Sequence, residues 1–201
     1  MYKIIYKLHL EGLYDSPWLM HIKSILLNSG RPQFWYQQDF LSPKAFMVTD
    51  VCLQLKAQYL AWWEAELYRN RKCVSYRIFK DQIIFEPYLK NLNFLDRRAL
   101  CMFRVGNHGL PVEKSRYTAG GGGVDVICKL CNRGDICDEF HVLFLCPHFN
   151  DQRAKYINKS YSERPSTLKM YTLFNSGQNK TQKLAKFVRC ILKQFKKYPS
   201  T

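Results

Sequence analysis

The sequence predicts a mainly α fold. It reads as a helical domain, a small zinc knuckle built from cysteine and histidine, and an amphipathic basic helix near the C-terminal end. Three observations carry this prediction. Apolar residues recur at helical spacing in several stretches fenced by Pro, Asn and Gly. Residues 128–146 carry the spacing C-x2-C-x9-H-x4-C. From Lys180 to Lys197 an apolar stripe runs through a field of lysines. With 201 residues, 47% of them hydrophobic and 15% aromatic, the chain can bury a substantial core.

The elements follow in chain order. Asp15, Ser16 and Pro17 open a helix in which Leu19, Ile22, Ile25 and Leu26 share a face, and Asn28, Ser29 and Gly30 stop it. Phe34, Trp35 and Tyr36 fall in a loop or short turn. Ser42 and Pro43 start the longest helix, reaching about Arg69. Cys52, Leu55, Tyr59, Leu60, Trp63 and Leu67 form its apolar face, and Trp62 widens it. Core packing is the expected use of these aromatics, with a stacking platform as the alternative. Tyr76, Ile78, Ile83, Ile84 and Phe85 fit a short strand or the lead-in to a helix that Pro87 interrupts. Asn93 caps a further helix with Leu95, Ala99, Leu100, Met102 and Phe103 inward, and Gly106 ends it. Gly120 to Gly123 make a flexible hinge. No Lys-Ser or Lys-Thr follows these glycines, so they are not a phosphate loop. In the last helix Leu184, Phe187, Val188, Ile191, Leu192 and Phe195 form the stripe, ringed by Lys183, Lys186, Arg189, Lys193, Lys196 and Lys197. The expected division is 1–119 helical, 120–150 knuckle, and 151–201 basic and docked on the rest.

Charge narrows the partners. The net charge is +15. From Asp151 to Thr201 there are twelve Lys and Arg against two Asp and Glu, so two thirds of the excess sits in the last quarter. Such asymmetry favours polyanions, and RNA or DNA bound with weak sequence preference is the expectation. A merely solvated basic face is the plainer reading. No signal peptide or membrane-spanning stretch is visible, and an intracellular chain in cytoplasm or nucleus, with no membrane partner, is expected. In that setting clustered cysteines serve as metal ligands more often than as disulfides.

The ligand set read from spacing is Cys128, Cys131, His141 and Cys146 around one structural Zn2+. Two thiolates come from a C-x2-C turn. Asp138 caps a helix that presents His141 and Cys146 about a turn and a half apart, and Pro147 ends it. Cys137 and His148 are spare donors close in sequence, and the spacing also allows Cys137 in place of His141 or His148 in place of Cys146. Three thiolates and an imidazole leave no open coordination position, which marks a structural rather than a catalytic ion.

The stretch from Phe103 to Glu113, FRVGNHGLPVE, is followed by Arg116, then CKLCN, then GD-x-x-DEFH-x-L-F-x-CP. It resembles the C-terminal zinc-binding region of reverse transcriptases from non-LTR (LINE-like) retrotransposons, over about Ser16 to Phe195. The resemblance implies a region downstream of a polymerase, where the knuckle helps hold template RNA or target DNA. It also implies the same four ligands, and it matches Arg104, Asn107, His108 and Arg116 to a second motif, of which Arg104, His108 and Arg116 are expected to contact nucleic acid. Two departures stand out. The polyglycine replaces a more polar connector, and Cys137 sits where a small residue is usual.

Polymerase chemistry needs paired aspartates holding two divalent metals. This sequence has no adjacent Asp-Asp pair, and only Asp151 and Glu163 are acidic after Cys146. No catalysis is therefore expected. The leading expectation is a zinc-stabilised nucleic-acid-binding fragment, with Lys129, Arg133 and Arg153 on phosphates near the knuckle. A zinc-stapled protein-interaction module and a transposon remnant without a selected role are the alternatives.

Overall fold

The structure is a computed structural model that describes residues 2–38, 44–115 and 126–197. It is mainly α-helical, as the periodicity predicts. Among the described residues β pairing is confined to one isolated antiparallel bridge, Ile127 to Ile136. No described helix is long and apolar enough to cross a membrane. The chain divides into two compact units, Met1–Ala65 and Glu66–Thr201.

In the first unit, α1 (Tyr2–Leu10), α2 (Pro17–Asn28), α3 (Pro32–Tyr36) and the first part of α4 (Lys44–Arg69) follow in order. Pro17 sits in the first turn of α2, where its missing N–H costs nothing. Gly30 ends that helix at φ 72°, which lets Arg31 N–H reach back to Leu26 O at 2.9 Å. The loop expected around Trp35 is instead the short α3. Trp35 and Leu19 are buried, and the Tyr6 hydroxyl donates to Trp35 O at 3.0 Å. Arg31 Nη2 donates to Asp50 of α4 at 2.9 Å. The start of α4 at Ser42 and Pro43 lies outside the described residues. Leu55, Leu60, Trp63 and Leu67 of α4 are half-buried, but Cys52, Tyr59 and Trp62 are exposed. Tyr59 and Trp62 lie against each other, ring centroids 5.6 Å apart, so core packing is not their use here.

The second unit is organised by α7 (Phe94–Arg104) and α12 (Gln178–Lys197). Every residue of the predicted α12 stripe is buried, from Leu184 to Phe195. Ala99, Leu100 and Phe103 of α7 belong to the same core, as do Met170, Leu173 and Phe174 of α11 (Thr167–Phe174). Leu95 faces outward, contrary to expectation. It stands one position before Asp96, and Asp96 takes the inward direction. Asn93 Oδ1 accepts from Asp96 N–H at 3.0 Å, while Asn93 Nδ2 donates to the Asp96 carboxylate at 2.6 Å. Arg189 of α12 reaches that carboxylate at 3.1 Å, so this cation ties helices together and is not free for a polyanion.

The segment read as strand or helix lead-in becomes α5 (Tyr76–Phe79) and then irregular chain, before Pro87 opens α6 (Tyr88–Asn91). Gly106, at φ 67°, closes α7 by letting Asn107 N–H bond Met102 O at 2.8 Å. The turn leads into α8 (Pro111–Ser115). After the cysteine segment come α9 (Asn150–Tyr156), α10 (Lys159–Ser162), α11 and α12. The unit boundary falls inside α4 rather than at the polyglycine, which lies outside the described residues. The physical reason is shared burial: Cys128, Cys137, Val142, Leu143, Phe144 and Cys146 sit in one core with α7 and α12. The cysteine segment is part of that body.

Asp96→Ala keeps the backbone N–H that Asn93 caps but removes the carboxylate that Asn93 Nδ2 and Arg189 both reach. Urea denaturation should show a loss of about 2–4 kcal/mol, since breaking a largely buried pair leaves one charge uncompensated. Asp96→Asn should lose less, because it keeps the acceptor oxygen.

Candidate metal centre

Four side chains converge on one point: Cys128, Cys131, His141 and Cys146. Their ligand atoms all lie within 4.8 Å of one another, and Cys128, His141 and Cys146 are buried. This group can hold a metal ion.

Two local structures build it. The first is a hairpin. Cys128 N–H donates to Asp135 O at 2.9 Å and Cys137 N–H to Val126 O at 2.8 Å, across the Ile127–Ile136 bridge. The tip returns through Gly134, whose φ of 75° would strain a residue bearing a Cβ. Cys128 and Cys131 thus face the same point, and the Leu130 N–H donates to the Cys128 sulfur. The second is a single wide turn. Asp138 accepts from His141 N–H at 2.7 Å and starts it, as expected of a cap. The turn itself is not α-helical. His141–Leu145 is π-helical, closed by Cys146 N–H on His141 O at 2.8 Å. This corrects the predicted α-helical presentation. Five residues on an α-helix separate side chains by about 140°, given 3.6 residues per turn. The wider i to i+5 turn brings His141 and Cys146 much closer to one face. Cys146 then adopts extended backbone, φ −62° and ψ 118°, ahead of Pro147.

Distances inside the group are short. The Cys128 and Cys146 sulfurs are 4.0 Å apart, and Cys131 Sγ is 3.4 Å from His141 Nε2. The other ring nitrogen, His141 Nδ1, stands 3.4 Å from the Asp135 carboxylate and is otherwise unpartnered. That places a carboxylate behind the imidazole and aims Nε2 at the sulfurs, the arrangement that orients a ligating histidine. Arg133 holds the same carboxylate at 2.7 Å and pulls its pKa below the ordinary range.

The thiols share charge unevenly. Hydrogen bonds from Cys137 and then Cys146 hold the Cys128 thiol far below its usual range. The Cys146 and Cys137 thiols are pushed well up, first by Cys128 beside them and then by burial. A cation held by Cys128, Cys131 and Cys146 would favour their thiolate forms.

The spare donors separate from the ligands. Cys137 is wholly buried beside Cys128 but outside the group of four, and His148 is exposed with its ring against Phe149. No protein-family model, curated protein or solved structure matches this chain.

The sequence-predicted contact residues divide sharply. Lys129 is exposed, and Arg133 is about half exposed but engaged with Asp135. Arg116 lies outside the described residues. The remaining three are buried and committed to the fold. Arg153 donates to Leu143 O at 2.6 Å, Cys146 O at 2.9 Å and Val142 O at 3.4 Å. It supplies the carbonyls at the end of the π turn with the partners a continuing helix would have given. Arg104 ion-pairs with Glu86 at 3.1 Å, donates to Phe174 O at 3.2 Å, and lies over the rings of Phe79, Tyr88 and Phe174. His108 Nε2 is 2.8 Å from Glu139, and His108 Nδ1 accepts from Leu110 N–H at 3.2 Å. Glu113 accepts the backbone N–H groups of His108 and Gly109. The NH-x-LP-x-E segment is thus a braced turn whose histidine grips the residue two before His141.

Sequence reasoning passed over Asp135, Glu139 and the bracing role of Arg153. Asp135 and Glu139 lay inside the quoted motif as acids flanking a candidate ligand, which is the one signal that marks them.

Metal content per chain should stay at one ion in Cys137→Ser and fall to near zero in Cys131→Ser. Arg153→Ala should cost about 3 kcal/mol of stability, because three buried carbonyls lose a charged donor. A changed affinity for polyanions with unchanged stability would contradict that role.

Proposed function

We propose that this chain is a non-catalytic nucleic-acid-binding module whose cysteine–histidine centre holds one structural zinc ion. The observation that carries the zinc is the donor geometry. Zinc bonds of about 2.3 Å to sulfur and about 2.0–2.1 Å to nitrogen give tetrahedral edges of roughly 3.8 Å between sulfurs and roughly 3.6 Å between sulfur and nitrogen. The matching separations here are 4.0 Å and 3.4 Å. The site therefore needs only tenths of an ångström of adjustment along these edges. Four protein ligands fill the tetrahedron, so the ion's work is to hold the hairpin against the π turn.

Charge supports the polyanion. The apolar face of α12 is buried, while Lys183, Lys193 and Lys196 project outward. Lys129 adds an exposed cation beside the centre. The resemblance to the region downstream of a non-LTR polymerase names RNA or DNA as that polyanion. The ligand set consumes the metal-binding chemistry of its own residues, and polymerase-type paired aspartates are absent from the sequence.

Zinc content of the purified chain should be one per molecule, and a chelator strong enough to remove it should lower the melting temperature. Fluorescence anisotropy with single-stranded RNA and DNA 20-mers at 50 and 200 mM salt tests the partner. About five phosphate contacts predict roughly a hundredfold weaker binding at the higher salt. Absent or salt-insensitive binding would overturn the nucleic-acid reading, whatever the zinc content.

A further inference from the structure

Two cavities open on the second unit, and their chemistry differs. The larger, about 300 Å³, contains Arg104 and Lys80, but Glu86 holds both of these cations, Lys80 at 2.8 Å. It offers little net charge to an anion. The smaller, about 270 Å³, lies among α9, α10, α11 and α12, and no acidic residue lines it.

Its composition is layered. Ile157 and Leu173 form a buried apolar floor. Tyr156 and Tyr161 are half-buried walls, packed on the core from one side. Lys155, Lys180 and Lys183 stand exposed at the rim. Lys155 Nζ is 5.5 Å from the Tyr156 ring centre, within cation–π range. Among the described residues none of the three rim lysines has a carboxylate at ion-pair distance. Two of them stand in the first two turns of α12, a 20-residue helix with no acid in its first turn. Cations there oppose the positive end of the helix dipole, and an anion would relieve both.

We propose that this cavity receives one nucleotide unit of a single-stranded nucleic acid, its base against Tyr156 or Tyr161 and its flanking phosphates on Lys155, Lys180 and Lys183. The assignment rests on the nucleic-acid reading above and localises it. An apolar floor with aromatic walls accepts any base face, while mobile lysine ammonium groups follow the backbone. The volume suits one planar group, at the small end of ligand cavities. A double helix keeps its bases stacked inside and offers none to such a pocket. Contact is thereby moved away from Arg153 and the knuckle toward the α9–α12 side of the unit.

The test compares two charge-matched triple variants of the full chain with fluorescent U10 RNA and dT10 DNA at 0.1 M salt. Lys155→Gln with Lys180→Gln and Lys183→Gln should weaken binding at least about tenfold and lower the salt slope by about 2, three phosphates at about 0.7 each. Lys90→Gln with Arg98→Gln and Arg164→Gln, removing the same charge from exposed positions elsewhere on the unit, should weaken it less than about threefold. Tyr156→Leu with Tyr161→Leu should cost about a further tenfold, and Tyr156→Phe with Tyr161→Phe should restore most of that loss. Equal weakening in both triples overturns the pocket and leaves the general reading standing. No binding by the unsubstituted chain overturns both. Zinc content and circular dichroism, unchanged in every variant, verify that folding is intact. A tenfold or greater preference between U10 and dT10 identifies which single strand the cavity takes.

Discussion

Burial of one helical stripe governs the second unit. α12 presents Leu184, Phe187, Val188, Ile191, Leu192 and Phe195 along a single face, and all of them are out of water. Complete burial of such side chains is worth about 1.5–3 kcal/mol each before conformational entropy is charged against it. The helix has few alternatives, because its remaining faces are cationic. α7 meets it directly, α9 and α11 flank it, and the cysteine segment closes over the same core through Val142, Leu143 and Phe144. The ion pair between buried Asp96 and half-buried Arg189 links α7 to α12, a directional constraint that apolar contact does not supply.

The metal centre inherits its geometry from this packing. A π turn is wider than an α turn and makes poorer internal contacts, so it persists where its surroundings hold it. Here Arg153, anchored on α9, collects the loose carbonyls on its C-terminal side, and Asp138 satisfies the N–H at its start. On the far side, His108 and Glu139 connect the turn after α7 to the residues leading into His141. Three residues that looked like candidate phosphate contacts, Arg104, His108 and Arg153, thus brace the protein interior. Buried cations and imidazoles of this kind are costly unless every polar atom finds a partner, and here nearly all do.

Much of this was legible in the sequence because it depends on spacing. Helical periodicity marked α2, α4, α7 and α12, with caps at Asn93 and stops at Gly30 and Gly106. The four clustered ligands followed from their intervals alone. What spacing could not convey is direction. Leu95 and Asp96 exchange the expected faces because the capping hydrogen bonds turn Asp96 inward. Arg153 reads as a surface cation until the unsatisfied carbonyls around Cys146 are seen to need a donor. The π turn was hidden for a related reason: an interval of five residues fits no face of an α-helix, and only the backbone bond from Cys146 to His141 shows how the interval is used. The exposure of Tyr59 and Trp62 was equally unreadable, since aromatic residues at helical spacing look the same whether a neighbour covers them or not.

Membership of Cys128 and Cys146 in the common core has a thermodynamic consequence. In a detachable finger, losing the ion unfolds the finger and spares the rest. Here two of the buried core residues, Cys128 and Cys146, are thiols of the group of four, so an ion bound there would link its occupancy to the integrity of α7 and α12. By mass action each tenfold rise in free metal above the dissociation constant would add about 1.4 kcal/mol to the whole unit. The free metal concentration of the surroundings, and not sequence alone, would then set how long the α9–α12 face keeps its shape.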